Sequence, residues 1–215
     1  MTFKFKHVIW DWNGTIVDDS NLCVEIVNEI LKNYNLKIVS HDFYLKNFNF
    51  PVKNYYKLLG LPVDDSNYKV ISEYFIKQYR SRFHNCKLQN GIQKILQDFK
   101  ASGISQSVLS ASSQEDLSNY IDFYNLRDYF SFFSGVKDTQ ANGKQKIAIS
   151  HLKNINFNRN EVILIGDTVH DKYVADMMGI PCLLINFGHN SIDSLKICKC
   201  SIIESYFELI KFVSS

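Results

Sequence analysis

A chain of 215 residues is long enough for one substantial core and a smaller accessory unit. With 46% hydrophobic and 14% aromatic residues it can bury that core, which excludes intrinsic disorder. The 24 basic and 22 acidic residues are interspersed, so no basic stripe awaits a nucleic-acid backbone, and no apolar run nears the roughly 20 residues of a membrane span.

The opening MTFKFKHVIWDWNG passes straight into a strand–turn pattern and does not resemble a signal peptide, so a cytoplasmic protein is expected. FKHVIW (5–10) reads as a buried strand and DWNGT as the loop leaving it. Residues 17–86 then turn helical and show no strand signals. Leu22, Val24, Ile26, Val27, Ile30 and Leu31 recur at helical spacing, Ser40 is a candidate N-cap, and Pro51 opens a helix that Gly60 ends. After Gly91 the rhythm becomes strand–helix alternation, with strands in SQSVLSA, YFSFFSG, EVILIGD and PCLLINFG, and SYFELIKFV as the closing helix. Such alternation implies a parallel sheet covered on both faces. The expected fold is therefore α/β, a doubly wound Rossmann-like core (1–16 and 87–215) with an all-α cap (17–86) inserted after the first strand. Cysteines 23, 86, 182, 198 and 200 read as free thiols of a reducing compartment; the lone Cys198-Lys-Cys200 lacks the second ligand pair of a zinc site.

In open α/β sheets ligands bind beyond the carboxyl ends of the strands. Those ends deliver Asp11, Ser110 and Asp167, with Asp171 four residues further on, and Lys144 after Gly143 starts a helix facing the same edge. Any one of these could be an ordinary turn, cap or solvated residue. Together, three acids, a hydroxyl and an ammonium suit metal-assisted phosphoryl transfer. One carboxylate attacks phosphorus, the others hold Mg²⁺, and the hydroxyl and ammonium bind phosphoryl oxygens.

DWNGT, VLSAS, GK before a helix, and IGDTVHD resemble, in order, the four motifs of the haloacid dehalogenase-like hydrolase superfamily. The helical insert resembles the cap of its phosphoglycolate phosphatase-like branch. The resemblance implies a Mg²⁺-dependent phosphatase of a small phosphorylated metabolite, monomeric or weakly dimeric, binding neither nucleic acid nor membrane. It makes Asp11 the nucleophile and places Ser110, Ala111, Gly14 and Thr15 around the phosphoryl group, with Thr15 also a candidate cap of the next helix. Lys144 becomes the charge-neutralising lysine, Lys146 being the second choice. Asp11, Asp167, Asp171 and the backbone carbonyl of Asn13 become the Mg²⁺ ligands. Trp10 and Trp12 read as packing residues, His170 and His189 as surface or satisfied histidines, and Lys53 and Arg82 as solvated helix charges.

Asn13 departs from the pattern, because phosphatases of this superfamily usually carry Asp there as general acid and base. An amide cannot shuttle a proton at neutral pH, and losing that group costs about 10²–10⁴ in rate. Three readings stay open: a phosphatase whose proton source is His170, His189 or a cap residue or whose leaving group is undemanding, a slow or binding-only homologue, and a different reaction of the superfamily. The Asp167/Asp171 pair argues against dehalogenation, and no cap lysine stands out for phosphonate cleavage.

Overall fold

The computed structural model describes residues 4–137 and 143–213; the outer limits expected for the core, 1 and 215, lie outside them. Strand β1 (His7–Trp10) is buried along its whole length. It leads through β2 (Val17–Asp18) into four helices: α1 (Ser20–Asn33), α2 (His41–Asn47), α3 (Val52–Leu58) and α4 (Asp65–Arg82). Strand β3 (Lys87–Leu88) returns the chain to the alternating half. There α5 (Ile92–Ala101), β4 (Ser105–Ser113), α6 (Gln114–Phe123) and β5 (Phe132–Val136) are followed by α7 (Gln145–Lys153), β6 (Val162–Gly166) and α8 (Val169–Met178). Strand β7 (Cys182–Ile185), α9 (Ile192–Lys196), β8 (Ser201–Ile203) and α10 (Tyr206–Val213) complete it.

Six strands pair in parallel in the order β5-β4-β1-β6-β7-β8, the expected doubly wound α/β arrangement. Because successive side chains of a strand point to opposite faces, Val8 and Trp10 join one apolar cluster with Ile163 and Ile165. Ile9 joins the other, with Leu164, Val174 and Met178. Both faces are covered, so the strands read as continuous apolar runs. Trp10 and Trp12 are fully buried, as packing residues should be. No described helix is long and apolar enough to cross a membrane.

In the helical stretch, α1 buries Leu22, Val24, Ile26, Val27, Ile30 and Leu31, and the Ser40 hydroxyl accepts from the Phe43 N–H at 3.1 Å to cap α2. Four elements escape the periodicity. Strands β2 and β3 pair antiparallel, Val17 opposite Leu88, so the stretch from residue 17 begins with strand. Strand β8 and helix α9 also went unread; elements of two to five residues carry too few repeats to show a period.

A polar chain crosses the buried sheet: His7 Nε2 to the Ser107 hydroxyl, Ser107 to His151 Nε2, and His151 Nδ1 to the Ser134 hydroxyl, each at 2.8 Å. Burial pushes His7 down to about 4 and His151 down to about 3. An unfolded imidazole protonates near 6.5. Below that pH the unfolded chain takes up two protons that the folded chain refuses, so stability falls as pH drops from about 6.5 toward 4. Each unit of depression is worth about 1.4 kcal/mol. Urea midpoints measured between pH 7 and pH 4.5 are expected to fall accordingly, and His7→Gln with His151→Gln to flatten the slope; an unchanged slope would put the acid sensitivity elsewhere.

Candidate active site

The carboxyl ends of β1, β4 and β6 meet the start of α7 in one buried cluster. The Asp11 N–H donates to the Ile165 carbonyl at 2.9 Å, fixing that residue as it leaves β1. Lys144, 1% exposed, is ion-paired with Asp11, lies 2.7 Å from Asp171, and donates to the Leu109 carbonyl at 2.9 Å. Asp167 accepts from the Thr15 hydroxyl at 2.8 Å and from the His189 N–H at 2.6 Å. The second oxygen of Asp171 accepts from the Thr168 N–H at 2.9 Å and hydroxyl at 2.6 Å, capping α8. Glycines make this approach possible, since a Cβ on Gly14 or Gly188 would collide with Asp167 and one on Gly166 with Asp171. Gly14 is also left-handed, at φ 75°.

The electrostatics follow from crowding acids out of water. Burial pushes Asp11 well above the ordinary carboxylate range; Lys144 pulls it down, and Asp171 and Asp167 push it up. Asp167 is raised to about 6, again chiefly by burial. Burial would also raise Asp171, but the Lys144 ammonium and the hydrogen bonds from Lys144 and Thr168 hold it low. Burial disfavours the Lys144 charge, yet Asp11 and Asp171 more than offset this and keep it an ammonium. Oxygens of Asp11, Asp167 and Asp171 lie within 4.8 Å of one another. An all-oxygen, mutually repelling carboxylate set fits a hard divalent cation such as Mg²⁺.

Asn13 sits at the rim of this cluster, held by its side chain. Its amide N–H₂ donates to Asp19 at 2.7 Å and to the Tyr79 hydroxyl at 2.8 Å, and its oxygen accepts from the Ser112 hydroxyl at 2.9 Å. Asp19, fully buried, also accepts from the Gly14 N–H at 2.8 Å, the Tyr79 hydroxyl at 2.7 Å and His189 Nε2 at 3.1 Å. Burial alone would raise Asp19; the positive His189 ring and these donors hold it low instead. Burial opposes charge on His189, but Asp19 dominates and lifts it to about 9. His189 Nδ1 meets the Tyr44 hydroxyl at 2.9 Å, so both ring nitrogens are engaged. This Asn13–Asp19–His189 network was not visible in the sequence, where Asp19 stands only as a residue ahead of a helix.

Above the carboxylates a cavity of about 170 Å³ opens toward α2, α3 and α4. Asp11, Asn13, Lys144, Thr168, His170 and Asp171 form its floor. Its walls are mostly aromatic, and the hydroxyl of one of them, Tyr55, is buried without a hydrogen-bond partner among the described residues.

Most expected site residues meet here, with instructive differences. Lys144 enters the cluster while Lys146 is exposed, because only the former precedes α7 on the sheet side. Thr15 caps no helix; its hydroxyl goes to Asp167, and the N-cap position of α1 is Asp19. The Gly14 N–H is taken by Asp19 and the Val17 carbonyl. Strand β4 runs past Ser110 to Ser113; Ser110 is buried within it and accepts from the Ser112 N–H at 3.0 Å, leaving Ala111, Ser112 and Ser113 on the cavity wall. His170 and His189, expected to be surface or merely satisfied, both line the cavity. His189 is satisfied as expected, but by the site's own acid. His170 accepts from the Lys144 N–H at 3.3 Å, packs 4.7 Å from the Phe50 ring, and is pushed by burial down to about 4. Lys53 pairs with Asp65 at 2.9 Å and Arg82 with Glu29 at 2.8 Å, away from the site.

The family model described as haloacid dehalogenase-like hydrolase matches residues 8–185. The chain is 21% identical to "Probable phosphatase IndB" of Dickeya dadantii over 210 residues, covering 93% of this chain and 89% of that protein. It is 19% identical to the tyrosine-protein kinase PtkA of Mycobacterium tuberculosis over 86% of this chain, spanning only 64% of that protein. Among solved structures, a predicted phosphatase from Clostridium acetobutylicum superposes with a TM-score of 0.85 at 20% identity, covering 98% of each chain. A predicted phosphoglycolate phosphatase from Haemophilus somnus gives 0.79 at 18% identity over 99% of each. At such identities the structural likeness speaks for the fold.

Proposed function

The chain belongs to the haloacid dehalogenase-like hydrolase family, and on that premise we propose that it is a Mg²⁺-dependent phosphatase of a small phosphomonoester. The observation that carries this reading is Lys144, buried and shared between Asp11 and Asp171 on the floor of the cavity. An ammonium there neutralises a phosphoryl oxygen brought against Asp11, which two negative groups would otherwise repel. The Asp11 carboxylate oxygen attacks phosphorus, the ester oxygen leaves with the bonding electrons, and an aspartyl-phosphate results. Water then attacks that phosphorus, releasing inorganic phosphate and regenerating Asp11. Asp11, Asp167 and the Asn13 carbonyl would hold Mg²⁺, with Asp171 beside them; when bound, the ion supplies charge neutralisation at the phosphoryl group.

The proton at each step is the open matter in this chain. Asn13 cannot move one, His189 has both ring nitrogens committed, and His170 on the floor spends its Nε2 on the Lys144 N–H. The departing oxygen must therefore leave with little protonation, and water attack on the aspartyl-phosphate proceeds without a base at position 13. The second step is then expected to limit turnover.

A screen of sugar phosphates, phosphoglycolate, nucleotides, aryl and acyl phosphates with Mg²⁺ tests the reading. Turnover above an Asp11→Asn control supports it. None, with phosphate and Mg²⁺ still raising the melting temperature, would leave the binding-only homologue.

A further inference from the structure

The cavity above Asp11 differs in chemistry from its floor. Phe48, Phe50, Tyr55, Tyr56, Phe75 and Tyr79, contributed by or adjoining α2, α3 and α4, make its walls. Among the described lining residues the basic side chains are Lys144 and His170 on the floor and His189, whose ring is committed to Asp19 and Tyr44. The one acid on the far side, Asp116, is closed off by a two-pronged pair with Arg80 at 2.7 and 2.9 Å. Lys53 and Arg82, the cations that could have met a second negative group, are paired elsewhere. A carboxylate or second phosphate on the leaving group would enter an apolar wall with no counter-charge, at heavy desolvation cost.

Size narrows the choice further. The cavity measures about 170 Å³, and the phosphoryl group over the charged floor takes a share of it, so the leaving group has room for at most one ring; a dry apolar cavity of about 150 Å³ holds one benzene. Aromatic walls favour a ring through edge and offset contacts. The floor carries an independent demand: with an amide at position 13, the leaving oxygen must be a good one. A phenol ionises near pH 10, against roughly 15.7 for a water-like hydroxyl.

We propose, resting on the phosphatase reading above, that the substrate is an aryl phosphate: a phosphomonoester of an uncharged, single-ring phenol whose ring fills the aromatic cavity while its phosphoryl group meets Asp11 and Lys144. Transfer to Asp11 breaks the aryl O–P bond and releases a phenolate, which water protonates outside. The Tyr55 hydroxyl, without a hydrogen-bond partner among the described residues, favours a ring carrying one acceptor group.

Four esters separate the parts with the full chain and Mg²⁺. Benzyl phosphate against ethyl phosphate isolates the ring, because both leave as alkoxides; the ring is expected to raise kcat/KM at least tenfold. Phenyl phosphate is expected to exceed benzyl phosphate, and phosphoglycolate to be the poorest. Phe48→Ala should shrink the benzyl-to-ethyl ratio to about threefold or less. Binding is read separately by calorimetry, where phenylphosphonate should bind at least tenfold tighter than methylphosphonate. Turnover with no ring preference, or a preference for phosphoglycolate or nucleotides, overturns the aryl assignment and leaves the phosphatase reading standing. A ring preference in binding, with no ester turned over beyond the Asp11→Asn control, overturns the phosphatase reading and retains the ring site.

Discussion

Replacing Asp11 with Asn is expected to lower phosphomonoester turnover by about 10⁴-fold or more, because the attacking oxygen is gone and no neighbouring carboxylate can take its place. Asp171 is spent on Lys144 and the α8 cap, and Asp167 on Thr15 and the His189 N–H. The companion measurement is stability. The Asp11 carboxyl is pushed above its ordinary range by burial, so keeping it ionised at neutral pH costs folding free energy. An amide of the same shape removes that cost, while Lys144 keeps Asp171 as a partner. The metal-free variant should therefore melt no lower than the parent. A lost activity accompanied by a large drop in melting temperature would mean that Asp11 is structural.

The second large effect belongs to Asn13. Changing it to Asp supplies the missing acid and base, and turnover of alkyl esters should rise about 10²-fold, the lower end for general acid–base catalysis. The structure adds a condition. The amide donates to Asp19 at 2.7 Å, so the new carboxylate faces a buried one and the pair must share a proton. That arrangement keeps the new group protonated near neutral pH, as a general acid should be, but strains a site also holding His189 and Tyr79. Stability should drop by a few kcal/mol. Adding Asp19→Asn, which restores a donor opposite position 13, should recover part of it. The gain should be greatest where release of the aspartyl-phosphate limits, seen as loss of an initial burst of product. If Asn13→Asp lowers turnover of every ester, the amide is suited to another chemistry.

How far the sequence foretold this site depended on separation along the chain. Asp11, Lys144, Asp167 and Asp171 were legible because each occupies a strand end or helix start that its own neighbours define. The doubly wound sheet was legible for the same reason: strands of four or more apolar residues separated by helices declare themselves locally. Asp19 and His189 were not, since they are 170 positions apart and meet only through packing. Nor was the fate of the Asn13 side chain, whose partners Ser112 and Tyr79 stand 99 and 66 positions away. Phe48, Phe50, Tyr55 and Tyr56 belong to or adjoin α2 and α3. That they also surround an open space above Asp11 depends on how α2 and α3 tilt, which no periodicity encodes.

The turn that carries Asp11 is tied at its backbone to distant parts of the chain. The Gln89 side chain donates to the Gly14 carbonyl at 2.8 Å, and the Tyr206 hydroxyl of α10 donates to the Thr15 carbonyl from 191 positions away. Such contacts close large loops and form late. The Asp11 turn is therefore set only when Gln89 and α10 have docked, so the geometry at Asp11 answers to packing far from the site.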